Sequence, residues 1–92
     1  MILSFTDKDT EELWLKERSK RYGNIGRVAL RKLLQLHAAE TLGDLSVPPG
    51  FRLEALSGAR RGQHSIRVND QWRICFRWTS QGPEEIEICD YH

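Results

Sequence analysis

The hydrophobic period of this chain changes once, near Phe51. Before that point apolar residues recur at the spacing of helices buried on one side. After it they alternate, the spacing of strands covered on one face. Helices first and strands second cannot interleave into a doubly wound parallel sheet. Such a chain is α+β, with its helices packed on one face of a mainly antiparallel sheet. Its 92 residues make a single domain, 1-92, with one core.

The expected order is β-α-α-β-β-β-β. Ile2 to Phe5 reads as a short strand. Thr6, with Asp9 three residues on, is the predicted N-cap of a helix reaching about Arg18, with Leu13 and Trp14 inward. Tyr22-Gly23-Asn24 ends it. A second helix is predicted from about Ile25 to Glu40. Ile25, Ala29, Leu33 and Leu36 form its buried stripe, widened by Leu30 and Leu34, with Arg27, Arg31 and Gln35 on the wet face. A short turn over Thr41 to Leu45 leads to the stiff connector Val47-Pro48-Pro49-Gly50. Strands are predicted at Arg52 to Leu56, Gln63 to Val68, Trp72 to Thr79 and Glu84 to Asp90. Their short connections favour an antiparallel meander.

Alternation assigns side chains to faces. Trp72, Ile74, Phe76 and Trp78 point to the core, with Ile66, Val68, Ile86, Ile88, Leu53 and Ala55. Glu54, Ser65, Arg67, Arg73, Cys75, Glu87, Cys89 and Tyr91 point outward. Pairing Val68 with Trp72 sets Arg67 opposite Arg73. Like charges so opposed are disfavoured unless an anion bridges them. Pairing Trp78 with Ile86 sets Arg73 opposite Tyr91 and Cys75 opposite Cys89. A slip of two residues keeps these faces and moves the neighbours; a slip of one reverses the faces.

A net charge of +1 conceals segregation: Lys16 to Lys32 holds seven basic residues and one acidic, and Arg52 to Arg77 holds six arginines against Glu54 and Asp70. A polyanion is a candidate partner. The plainer alternative is a solvated helix face with cross-strand pairs, Arg67 to Glu87 and Arg77 to Glu85. No apolar run is long enough for a membrane span. The start, Met1 to Phe5, lacks the pattern of a signal peptide, so a cytoplasmic protein is expected. Cys75 and Cys89 fit no zinc spacing and read as buried thiols. The three tryptophans read as packing residues, and His37 as structural or solvent-exposed.

The last predicted strand runs into Asp90-Tyr91-His92: a carboxylate, a phenol and an imidazole in a row. Each transfers protons in the right setting. An unperturbed imidazole titrates near ~6.5, which makes His92 the leading acid or base.

Three stretches together resemble a known family: Arg52-Leu53-Glu54-Ala55-Leu56-Ser57-Gly58; Gly62 to Phe76 with its Asn69-Asp70-Gln71-Trp72-Arg73-Ile74-Cys75-Phe76 run; and Glu87-Ile88-Cys89-Asp90-Tyr91-His92. They resemble the HigB (killer protein) toxins of type II toxin–antitoxin modules, in the RelE/ParE superfamily, close to GraT-like members. The resemblance implies a ribosome-dependent mRNA endonuclease that cuts in the ribosomal A site with the RNA 2′-OH as nucleophile, needing neither metal nor cofactor. It implies a HigA-type helix-turn-helix antitoxin as partner, with operator DNA bound only through that antitoxin. By position, Arg73, Asp90, Tyr91 and His92 match the catalytic set, with Glu54 beside them. Arg73 would hold the scissile phosphate, Asp90 orient His92, and Tyr91 stack on a base or donate a proton. Arg60, Arg61, Arg67, Arg27, Arg31 and Lys32 would contact RNA phosphates. Some relatives have a histidine where this chain has Glu54, many a lysine at Ser57, and an aromatic at His64; these departures imply a slow, growth-modulating toxin. The rival readings are a ParE-like gyrase inhibitor and a non-enzymatic ribosome or RNA binder.

Overall fold

The computed structural model describes residues 1–90. Helix α1 (Lys8–Lys16) starts one residue later than the sequence suggests: Asp7, not Thr6, is the N-cap, and its Oδ2 accepts from the Thr10 amide at 3.1 Å. An aspartate there also places a negative charge against the positive end of the helix dipole. The helix stops at Glu17, which adopts a left-handed conformation, φ 61°. A 3-10 turn at Gly23–Ile25 leads into α2 (Gly26–Ala38). Gly26, Ala29, Leu33 and Leu36 are its buried stripe. Leu34, predicted to widen that stripe, is 53% exposed, because it lies one helical step beyond the width the sheet covers. Thr41 and Asp44 form a capping box over the 3-10 turn Leu42–Ser46.

Four strands follow: β1 (Glu54–Ala55), β2 (His64–Arg67), β3 (Trp72–Thr79) and β4 (Gly82–Asp90), in the order β1-β2-β3-β4 and all antiparallel. The strand expected at Arg52 to Leu56 shrinks to two residues, and Ala55 is exposed rather than inward. The backbone kinks at Arg52, φ 46°, which ends pairing early. The expected first strand is an extended segment with a single parallel bridge, Phe5 to Ile86. It nevertheless covers the free edge of β4: the Leu3 amide donates to the Pro83 carbonyl at 2.8 Å, Ile86 to Ser4 at 3.1 Å, and Thr6 to Ile86 at 2.9 Å. A covered edge no longer templates pairing with another chain. Gly82 permits this approach; at φ 133° it faces the Met1 carbonyl, and a Cβ there would sit 2.3 Å from that oxygen.

Arg67 pairs with Arg73, as the sequence suggests. The β3–β4 register differs by two residues: Arg73 pairs with Cys89 and Cys75 with Glu87. The turn is tighter than its Ser80-Gln81-Gly82-Pro83 composition suggests. Thr79 pairs with Gly82 and Trp78 with Pro83, so glycine and proline enter the strand. A bulge between Cys75 and Arg77 takes up the remaining residue, at Glu85, φ 53°. Because the slip is two, each face keeps its residues.

The core lies between the helices and the sheet: Leu13, Leu33, Leu36, Ile66, Ile74, Phe76 and Ile86 are fully buried, and Trp14, Trp72 and Trp78 pack around them. Each such side chain contributes about 1.5–3 kcal/mol. Two polar bonds fix the helices in register with the strands. The Ile88 amide donates to the buried Thr10 Oγ1 at 3.1 Å. His37 Nδ1 accepts from the Ile2 amide at 3.1 Å, and its ring lies 5.2 Å from that of Trp14, so His37 is structural.

Candidate active site

Outside the helix-covered face, the sheet carries a second buried cluster, and it is polar. At its centre is Arg73, 5% exposed. Its Nε donates to Ser65 Oγ at 2.7 Å and its Nη2 to the Arg52 carbonyl at 2.7 Å. Glu54 Oε2 stands 3.2 Å from Nη2. Local backbone makes this possible. The left-handed turn at Arg52 directs its carbonyl to the guanidinium, while the preceding carbonyl, of Phe51, accepts from the Arg67 amide at 2.7 Å. The pairing of Glu54 with Ser65 puts that carboxylate one position from Arg73.

The opposed arginines need no bridging anion. Arg67 turns to Asp70, three residues on, and Arg73 to the Ser65, Arg52 and Glu54 group. The cross-strand pair of Arg77 with Glu85 forms as the plainer reading has it, at 3.2 Å. Glu87 is taken by Arg60 instead of Arg67, at 2.6 Å, which raises the Arg60 pKa further.

Asp90 pairs with Trp72 at the end of β4, so strand alternation turns it to the Trp72 side, away from the outward-facing Arg73. Its Oδ2 accepts from Gln71 Nε2 at 3.2 Å. Gln71 also lines an open cleft of about 530 Å³ whose other walls include Lys20, Arg21, Asn24, Asn69 and Trp72. Tyr91 and His92, the other expected members of the proton-transfer set, lie outside the described residues. The structure thus gathers Arg73 and Glu54 on the outer face, with Asp90 on the adjacent strand.

The expected phosphate ligands divide. Arg27, Arg31 and Arg61 are exposed. Arg60 and Arg67 are half-buried in their ion pairs. Lys32 packs inward: its Nζ donates to the Arg67 carbonyl at 2.6 Å and lies 5.1 Å from the centre of the Phe51 ring. Burial lowers its pKa, and so do the neighbouring arginines. Three contributors were not singled out from sequence as site residues: Ser65, the Arg52 carbonyl and Gln71. Ser65 had a signal, a small hydroxyl on the outward register between two arginine-bearing strands. A main-chain carbonyl has none.

The fold is that of a RelE-like toxin. The structure of the YoeB-YefM complex from Staphylococcus aureus matches with a TM-score of 0.63 at 20% identity, covering 100% of this chain and 95% of that one. Sequence narrows the class. Toxin HigB-1 of Vibrio cholerae is 41% identical over 80 residues, which is 85% of this chain and 84% of that one. An uncharacterized protein of Haemophilus influenzae is 38% identical over 60 residues, 65% and 59% of the two chains. The chain belongs to the HigB-like toxin family, described as the RelE-like toxin of the type II toxin-antitoxin system HigB, which it matches over residues 3–92. Among the described residues, no helix is long and apolar enough to cross a membrane.

Proposed function

We propose that this toxin is a ribosome-dependent mRNA endonuclease, acting in the cytoplasm on translated message in the ribosomal A site, with the RNA 2′-OH as nucleophile and no metal ion. The observation that carries this reading is Arg73. Its cation is fixed before any substrate arrives, on the strand paired with the one leading to Asp90-Tyr91-His92. In-line attack by a 2′-OH builds negative charge on the phosphoryl oxygens. A preorganised guanidinium in a water-poor site stabilises that charge without reorganising. Glu54, beside Arg73, and His92 are the candidates for taking and giving the proton, with Asp90 orienting His92. The cleft next to Asp90, with Lys20, Arg21 and Trp72 on its walls, has the cation-and-aromatic lining that suits a single-stranded nucleotide. Exposed Arg27, Arg31 and Arg61 supply phosphate contacts with ribosomal RNA. A HigA-type helix-turn-helix antitoxin neutralises the toxin and brings it to operator DNA.

The test is to give purified wild type, His92→Gln and Asp90→Asn to translating ribosomes and map message 5′ ends. The expected outcome is in-frame cuts that slow by about two to four orders of magnitude in His92→Gln. Growth arrest accompanied by DNA damage, without message cuts, would transfer the protein to the gyrase-inhibitor reading. Arrest without either, unchanged in both variants, would leave a ribosome binder.

A further inference from the structure

The outer face holds one chemically reactive pair that the nuclease reading does not use. Cys75 pairs with Glu87, and Cys89 with Arg73, so the two cysteines are diagonal neighbours on the same face of adjacent strands. Both are free thiols, Cys75 buried and Cys89 half-buried. The Cys89 thiol donates to the Glu87 carbonyl, 3.8 Å from its Sγ. The cations around them are not symmetric. The neighbouring Cys89 thiol, reinforced by Arg60 and Arg73, lowers the Cys75 pKa; the same neighbourhood, with burial, pushes that of Cys89 up. Cys75 is thus the more acidic of the two thiols, and Cys89 the one that holds its proton. A cysteine with a lowered pKa and a second thiol as its diagonal neighbour is the arrangement in which a sulfenic acid can be formed and then resolved.

We propose that Cys75 and Cys89 are an oxidation site at which hydroperoxide closes a reversible disulfide that slows the toxin. The Cys75 thiolate attacks one peroxide oxygen, the O–O bond breaks, and the leaving hydroxide takes a proton to become water. Cys89 sulfur then attacks the Cys75 sulfenic acid, the S–O bond breaks, and a second water leaves with the Cys89 proton. Two thiols and one hydrogen peroxide give one disulfide and two waters, with both sulfurs oxidised and the peroxide reduced.

The geometry also says why the bond acts on the site. Diagonal neighbours in a regular antiparallel ladder have Cα atoms roughly 7–8 Å apart, whereas a disulfide spans about 4.4–6.8 Å. Closing it draws the end of β4 across β3. That end carries Asp90, and the residue opposite Cys89 is Arg73, whose contacts depend on a fixed position. The bulge beside Cys75 is the place where the ladder can yield. A bridge closed against such strain is easily reduced, as a regulatory disulfide must be.

Intact-mass measurement on the purified full chain tests the chemistry independently of any nuclease assay. After brief exposure to hydrogen peroxide, wild type loses the mass of two hydrogens, a Cys75–Cys89 linked peptide appears, and dithiothreitol reverses both. In Cys89→Ser, Cys75 instead gains one oxygen and is trapped by dimedone; in Cys75→Ser, Cys89 reacts at least tenfold more slowly. The oxidised wild type is at least fivefold slower in message cleavage, or in growth arrest if cleavage itself fails, and recovers on reduction. Thiols that stay free under conditions that oxidise unfolded chain, or equal rates at the two cysteines, overturn the site. A disulfide that forms without slowing the toxin overturns its effect on the protein's activity.

Discussion

Arg73 and Arg27 are the same side chain in opposite settings. Arg73 sits in the sheet, almost without solvent, with its nitrogens committed to a serine hydroxyl, a main-chain carbonyl and a carboxylate. Arg27 stands exposed on α2, with Arg31 one turn on. A buried, partnered cation holds the fold and presents a fixed charge; an exposed one does neither. Arg60 is intermediate: bonded to Glu87 at 2.6 Å, yet with 39% of its side chain in solvent. Burial, not residue type, separates the two settings, because an unpaired charge costs far more out of water than in it.

The contrast breaks first at Arg73. Arg73→Ala removes a buried charge and leaves the Ser65 hydroxyl and the Arg52 carbonyl without their donor; unfolding in urea should show a loss of about 3 kcal/mol. Ser65→Ala, which removes one acceptor, should lose about 1–2 kcal/mol. A loss below about 1 kcal/mol for Arg73→Ala would mean that the guanidinium is not a structural element. Arg60→Ala sharpens the middle case. Solvent screens its pair, so the stability change should stay under about 1 kcal/mol, with a raised Cys75 pKa read from thiol alkylation rates against pH. Arg27→Ala and Arg31→Ala should each leave stability within about 0.5 kcal/mol. Each should nevertheless flatten the log–log salt dependence of ribosome binding by about one unit if it contacts a phosphate. An unchanged salt slope would remove α2 from the RNA surface.

Lys32 gives the smallest effect and a sign. Burial places its folded pKa below its ordinary value of 10.5, so the unfolded chain holds that proton more tightly. The contribution of Lys32 to stability should therefore rise with pH between its folded pKa and 10.5, and be flat below that window. Lys32→Met should remove that contribution, read as the difference between wild-type and variant urea midpoints across the alkaline range.

Much of the fold was legible before any coordinates. The single change of period gives helices packed on a sheet, and β3 falls at Trp72–Thr79 as read. The β2–β3 register follows from the Asn69-Asp70-Gln71 turn: Asn69 Oδ1 accepts from the Gln71 and Trp72 amides, both at 2.8 Å, and fixes which residues oppose. The β3–β4 register did not follow. Gly82 and Pro83 are turn residues by composition, and only their packing against the Met1 to Leu3 backbone draws them into the strand. At the site, Arg73 and Glu54 were recognisable and do meet. Ser65 was visible as an outward hydroxyl, but its role depends on a distance. Tyr91 and His92 were read from the sequence alone.

The amino-acid sequence by itself determined which faces are apolar, the order of elements and the family. All three are local patterns, written in residue type and spacing, and a register slip of two leaves them intact. The tertiary structure decided which arginine is a pillar and which stands in solvent, that Cys75 meets Cys89 diagonally, and that the Arg52 carbonyl belongs to the site. Those outcomes depend on a turn one pair tighter than its composition suggests, a bulge at Glu85 and a left-handed residue at Arg52. Burial and hydrogen-bond satisfaction are properties of neighbours distant in the chain, and no window of sequence contains them.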